Sequence, residues 1–154
     1  MRALLEEVLQ AYSTGLEGRV EVSLTTEPDL PGLVVDRTLI GRAITNVIEN
    51  ALHAMPTGGR LDVRAALDGD AVAIDITDTG VGMDEEALSM MFEPYFSTKA
   101  IGTGLGLTIA RRNVELHGGT VSISSRKGEG TTVRLALPVA SPDAFGQSSD
   151  DTRA

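Results

Sequence analysis

The chain contains no cysteine and no tryptophan, and its aromatic complement is three phenylalanines and two tyrosines in 154 residues. Without cysteine, disulfide frameworks, thiol nucleophiles and cysteine-ligated zinc are excluded, and two histidines, His53 and His117, are too few for a histidine metal cluster. Positive charge is also scarce. The 13 basic residues stand against 22 acidic ones, and the formal net charge of -9 opposes the attraction that nucleic acid or an anionic membrane requires. No nucleic acid partner is expected. Nowhere do about eighteen apolar residues run together, and the opening MRALLEEVLQ mixes acidic with apolar positions, so neither a membrane span nor a signal peptide is visible. A cytoplasmic domain without membrane contact is the expectation. What is present, 42% apolar residues, suffices for a single core and is too little for two ordinary domains.

Periodicity divides the chain. Leu4, Leu5, Val8, Leu9, Tyr12 and Leu16 share one side at helical spacing and predict a helix over 2–16, leading in from something upstream. Val20, Val22 and Leu24 alternate with polar residues as in a half-buried strand, which the Pro28 to Pro31 segment ends. Asp36 is placed to cap a second helix, over 39–52, with Ile40, Ile44, Val47, Ile48 and Ala51 in one stripe. Asn46, Glu49, Asn50 and His53 gather on another stripe, within an arc of roughly 100 degrees. Strands follow at 61–67 and 71–77, joined at the DGD turn, and then a short helix at 84–91. The stretch from Phe92 to Gly102 is too polar and broken for core and reads as a mobile lid. A helix from Leu105 to His117 and strands at 121–125 and 131–137 close the pattern. The tail 139–154, rich in Ser, Asp, Ala and Gly, has little to bury and is expected to be disordered.

Three short strings carry chemistry. Asp78 in DTGVGM sits at a strand end and is suited to accept from an exocyclic amine such as that of adenine, while Gly80 and Gly82 let backbone approach a flat ring. Alone, this string is also ordinary turn chemistry. Asn46 and Asn50 lie one helical turn apart, and amide oxygens can ligate Mg²⁺, whose other ligands are waters and phosphate oxygens. A lone asparagine pair is more often a solvated face. GTGLGL (Gly102 to Leu107) puts backbone N–H groups at a helix start, which favours an anion. It does not follow a strand and lacks a GK[ST] ending, so neither the dinucleotide fingerprint nor the P-loop applies.

In their order, NVIENALHAM (Asn46 to Met55), DTGVG, FEPYFSTK (Phe92 to Lys99), GTGLGL and GEGTTV (Gly128 to Val133) resemble the N box, first glycine box, F box, second glycine box and closing Gly-Thr segment of sensor histidine kinase ATP-binding domains. These belong to the GHKL superfamily, and the compact lid and NALHAM string look most like the nitrogen-regulatory subclass. The match runs from Leu4 to Pro138, so the resemblance implies an ATP-binding domain over 1–138 followed by the tail. It implies an α+β fold: a two-layer sandwich whose mixed, mostly antiparallel sheet of about five strands is covered on one face by about three helices, with an ATP lid. Asn50 would bind Mg²⁺, supported by Asn46, and Asp78 would take the adenine amino group, helped by Thr131 through a ring nitrogen or water. Gly80, Gly82, Gly102, Gly104 and Gly106 would be hinges and phosphate-side amides, with Thr103 and Leu105 among the ATP-binding residues. Lys99 would meet the phosphates as a point charge, though a solvated lysine is nearly as good a reading. Phe92 and Phe96 would anchor the lid, with Tyr95 less certain. His53 stands where many relatives carry a basic residue near the phosphates; a partly exposed histidine without that role is equally consistent. His117, before a Gly-Gly helix exit, reads as structural.

The implied activity is transfer of the γ-phosphoryl group of Mg-ATP to a histidine on a separate dimerisation domain, with a response regulator downstream. Neither histidine fits as acceptor: the acceptor is typically followed by an acidic residue, whereas Ala54 and Gly118 follow here. The expectation is therefore the nucleotide-binding half, an excised or truncated domain, monomeric in isolation. Gyrase-type and chaperone-type ATPases carry Glu where Asn46 stands, and Glu49 is the only carboxylate nearby, so poor hydrolysis is expected. A stand-alone anti-sigma-type serine kinase and a non-catalytic nucleotide-sensing module are the alternatives.

Overall fold

The computed structural model describes residues 1–12, 18–93 and 105–139. The expected lid, from its third residue on, and the expected tail, apart from Val139, lie outside them. In chain order the described residues form α1 (Arg2–Gln10), β1 (Val20–Thr26), α2 (Arg37–His53), β2 (Gly59–Asp68), β3 (Ala71–Asp78), α3 (Glu85–Ser89), α4 (Gly106–Glu115), β4 (Thr120–Arg126) and β5 (Gly130–Pro138). Asp36 caps α2, accepting from the N–H groups of Thr38 at 2.9 Å and Leu39 at 3.0 Å. That satisfies two donors the first turn leaves without a helical partner.

The strands make one sheet in the order β1-β2-β3-β5-β4. β1 runs parallel to β2, and every other pairing is antiparallel. This is the α+β class expected, and period-two alternation explains why it has only two layers. Leu61, Val63 and Ala65 of β2, Ile74 and Ile76 of β3, and Val133, Leu135 and Leu137 of β5 share one face and are buried. Against them lies the stripe of Ile40, Ile44, Val47, Ile48 and Ala51 from α2, joined by Leu4 and Leu5 of α1 and Leu107, Ala110 and Val114 of α4. Each fully buried Leu or Ile contributes about 2 kcal/mol. The opposite face carries Asp62, Arg64, Asp75, Thr77 and Arg134, where the Arg134 guanidinium grips both oxygens of Asp75 at 2.7 and 2.9 Å and reaches Asp68 at 3.1 Å. A face built of such groups stays in water.

Two expectations need adjustment. α1 ends at Gln10 rather than continuing to 16, with residues 13–17 outside the described set. β1 is not evenly half-buried: Val20 is buried but Val22 is exposed, because β1 is an edge strand beyond the main cover of α2 and α4.

The feature that positions the site is the antiparallel packing of α4 on α2, fastened at three levels. The Asn46 amide Nδ2 donates to the Gly106 carbonyl at 3.2 Å, the buried Asn113 Nδ2 to the Leu39 carbonyl at 3.0 Å, and the Asp36 N–H to His117 Nε2 at 2.9 Å. Because Nε2 accepts, the His117 ring proton is on Nδ1, which donates to the Asn113 carbonyl at 2.7 Å. His117 is thus structural, as a strap between helices rather than only a charge at a helix end.

Candidate functional site

Where the helix layer stops short of the strand ends, a cleft of about 460 Å³ opens between the C-terminal half of α2 and the ends of β3 and β5. That volume suits a small-molecule ligand. Its walls are mostly apolar, with Ile76, Val133 and Met83 among them, and Asn50, His53, Asp78 and Thr131 supply polar side chains.

On the sheet side, three polar residues stand in one lateral row. Register pairs Asp78 of β3 with Thr131 of β5, and Thr131 with Ser125 of β4. All three have the parity of the apolar face: Asp78 follows Ile74 and Ile76, Thr131 precedes Val133 and Leu135, and Ser125 follows Val121 and Ile123. They occupy the end of that face, where the cleft replaces the core. Asp78 is 5% exposed and Thr131 8%. One carboxylate oxygen of Asp78 accepts from the Gly80 N–H at 2.8 Å, folding the chain back at the strand end.

The loop after Asp78 is pinned at Val81 and Met83. The Val81 N–H donates to the Ala54 carbonyl at 3.0 Å, the Val81 carbonyl accepts from the Gly128 N–H at 2.6 Å, and the Met83 N–H donates to Ser125 Oγ at 2.9 Å. Both glycines here are required by close approach: a Cβ on Gly80 would collide with the Ala54 carbonyl, and one on Gly82, at φ 65, with the Arg126 carbonyl. The loop is therefore wedged between the end of α2 and the β4–β5 hairpin, which explains the glycines in DTGVG without reference to a ligand.

On the helix side, Asn50 and His53 line the cleft from α2, one partly buried and one exposed. Asn46 does not line it; its amide holds Gly106, the first residue of α4, and so fixes that helix start one turn from Asn50. Leu105 caps α4 without a side-chain cap bond. Lys99, Gly102, Thr103 and Gly104 fall outside the described residues. Phe92 lies against the Arg111 guanidinium, 4.8 Å from ring centre to Cζ, and its carbonyl accepts from the Thr108 hydroxyl at 3.2 Å, so the segment leading into 94–104 is anchored on α4.

Glu49 is turned aside. It accepts from the Tyr12 hydroxyl at 3.0 Å, and Asp78 is the only carboxylate residue lining the cleft among the described residues. Burial, then the Glu49 bond, then the Glu49 charge push the Tyr12 phenol up to about 12. Among the described residues, no group of three or more His, Cys, Asp or Glu could hold a metal ion. A divalent cation here fits only as one that arrives with phosphate oxygens and waters and takes a single amide ligand, which Asn50 can provide.

Sequence reasoning missed Ser125 and Asn113. Each is a polar residue at a position whose periodicity calls for an apolar one, and that is the signal that could have found them.

A mostly apolar cleft lined by the Asp78 carboxylate and the Asn50 amide, in a two-layer sandwich, is built for a small polar-edged ligand, and the family match makes the chain a nucleotide-binding domain. Over residues 35–141 the sequence matches the family of histidine kinase-, DNA gyrase B- and HSP90-like ATPases, and the chain belongs to it. It is 36% identical over 140 residues to the sensor histidine kinase ZraS of Escherichia coli (strain K12), covering 90% of this chain and 30% of ZraS. With sporulation kinase B of Bacillus subtilis (strain 168) it shares 41% identity over 124 residues, 80% of this chain and 29% of the kinase. Its fold is similar to the nucleotide-free catalytic domain of histidine kinase ThkA, with a TM-score of 0.81 at 26% identity over 90% of this chain and 92% of that one. Full-length ShkA in complex with AMPPNP superposes with a TM-score of 0.79 at 28% identity, over 90% of this chain and 30% of ShkA. The chain thus spans under a third of the length of the two curated relatives.

Proposed function

We propose that this chain is the catalytic ATP-binding domain of a sensor histidine kinase, residues 1–138, which binds Mg-ATP and presents the γ-phosphoryl group to a histidine on a separate dimerisation domain. The observation that carries the reading is the convergence of Asp78, Thr131 and Asn50 on one cleft of a histidine kinase-type ATPase fold. The relatives named sensor histidine kinase ZraS and sporulation kinase B support the reaction, and the AMPPNP held by ShkA supports the ligand.

Each residue then has a task. Asp78 accepts from the 6-amino group of adenine, while Ile76, Val133 and Met83 enclose the ring. Gly80 and Gly82 hold the loop that closes over it. Asn50 supplies an amide oxygen on the phosphate side, and Asn46 keeps the α4 start, with Leu105 and Gly106, turned to that side so that backbone N–H groups meet the phosphates. His53 and, from the lid, Lys99 stand by the phosphates; Gly102, Thr103 and Gly104 complete the phosphate loop. Asn50 would hold Mg²⁺ that arrives with the nucleotide, and the ion would supply neutralisation of phosphate charge. Catalysis by this chain is positioning and electrostatics, since the nucleophile comes from elsewhere. With Glu49 engaged by Tyr12, no base is poised to activate water among the described residues, and ATP hydrolysis without an acceptor is slow. The domain works in the cytoplasm, as a monomer when isolated, with a response regulator receiving the phosphoryl group from the histidine.

The test is to incubate the chain with radiolabelled ATP, Mg²⁺ and a histidine-kinase dimerisation domain. Acid-labile, base-stable label on that domain is expected; label on serine would replace the reading with a serine kinase, and ATP binding without label on any acceptor with a nucleotide sensor.

A further inference from the structure

Ser125 has no place in that mechanism, yet its hydroxyl is the most heavily engaged at the site. A serine hydroxyl carries one proton and two lone pairs. The Met83 N–H donates to Ser125 Oγ at 2.9 Å, which occupies one lone pair. The Gly130 carbonyl lies 3.0 Å away and can only accept, so it takes the proton. Thr131 Oγ1 lies at 2.7 Å, and the one role left is to donate its own proton to the second lone pair. The Thr131 proton is thereby turned away from the cleft. Toward the cleft that hydroxyl offers only lone pairs, beside the carboxylate of its register partner Asp78.

Resting on the nucleotide reading above, we propose that Ser125 is a specificity-positioning residue: by holding the Thr131 hydroxyl as an acceptor, it makes the base wall of the cleft acceptor-only and selects a purine with a 6-amino group over one with a 6-oxo group. An amino group donates to such a wall. A 6-oxo group brings acceptor against acceptor and leaves buried groups without partners, the arrangement that discriminates most strongly in binding sites. It follows that Thr131 does not donate directly to a ring nitrogen of adenine; its contact is acceptance from the amino group or from a bridging water. The same serine ties the first glycine loop, through Met83, to the strand that carries Thr131, so loop placement and base selection share one hydroxyl.

The test compares Mg-ATP with Mg-inosine triphosphate, which replaces the 6-amino by a 6-oxo group and turns ring N1 into a donor, and with Mg-purine riboside triphosphate, which lacks the amino group but keeps N1 as an acceptor and must shift in the same direction, in calorimetric titrations of the full chain. Wild type favours ATP. Ser125→Ala releases the Thr131 proton to the cleft, and the ATP-to-inosine-triphosphate affinity ratio falls by about tenfold, the worth of one hydrogen bond. Ser125→Thr, which keeps the hydroxyl, retains the wild-type ratio. In a Thr131→Val background, Ser125→Ala leaves the ratio unchanged, because the group it acts through is gone. Should Ser125→Ala not fold, as checked by circular dichroism, Ser125→Cys replaces it and must show the same direction of change. An unchanged ratio in the folded variant, or equal weakening of both nucleotides, overturns the proposal while leaving the ATP reading intact. Failure of wild type to bind either nucleotide overturns the ATP reading itself.

Discussion

The two sides of the cleft are built on different principles. The sheet side, proposed to take the base, is a row of side chains on three paired strands, Asp78, Thr131 and Ser125, each placed by sheet register, with Asp78 and Ser125 accepting from loop N–H groups and Thr131 bonded to the Ser125 hydroxyl. The other side, proposed to take the phosphates, is one face of α2, where Asn50 is half-buried and His53 exposed. Strand register leaves a side chain one place to stand, whereas side chains on a helix face keep rotamer freedom toward the cleft. The difference teaches that the sheet side of the cleft is preorganised by strand register, whereas the helix side offers its polar groups from a single helix face.

That contrast can be broken at several points. Its strongest consequence is at Asp78: Asp78→Asn keeps the size but puts an amide donor in the wall, and ATP affinity should fall by about a hundredfold, near 2.7 kcal/mol. Calorimetry with retained helical circular dichroism measures it, and a fall of less than fivefold would mean the base is not held there. Asn50→Ala should instead act through the metal. Affinity for ATP without Mg²⁺ stays near wild type while the gain on adding Mg²⁺ shrinks by about tenfold. Equal loss with and without the cation would make Asn50 part of the base side. Away from the cleft, His117→Ala removes the acceptor for the Asp36 N–H and should lower stability by about 1 kcal/mol in urea titrations, with nucleotide affinity unaltered. The smallest effect is Tyr12. Its ionisation is pushed from 10.0 up to about 12, so the neutral phenol is favoured in the folded state; the stability it lends is intact below about pH 10 and is lost as pH climbs toward 12. Tyr12→Phe should flatten that part of the stability profile without changing ATP affinity at neutral pH.

Much of this was legible in the sequence, and the reason is local. Asp36 as a cap, the apolar stripe of α2 and the alternation of β2, β3 and β5 all express periodicities that neighbouring residues suffice to define. Asp78, Asn50 and His53 line one cleft, and each sits in a short string whose geometry is set within a few residues. Other features depend on contacts distant in sequence. Nothing near Asn46 foretells that its amide holds the Gly106 carbonyl, and nothing near Glu49 foretells that the Tyr12 hydroxyl takes it. The edge position of β1, which leaves Val22 in water, depends on strand order rather than on strand pattern. Ser125 is intermediate: its parity with Val121 and Ile123 marks it as inward-facing, but only register with Thr131 and Asp78 gives that position a meaning.

The central claim, that a nucleotide lies between α2 and the row at the ends of β3 and β5, is tested most directly by mapping amide chemical shifts of the isotopically labelled chain as Mg-ATP is added. Shifts should concentrate at Gly80, Gly82, Met83 and Thr131 and along the Asn50 turn of α2, with little change at Asp62, Arg64 and Arg134 on the open face of the sheet. Saturable shifts centred on that open face, or none at the Asp78 turn, would contradict the account.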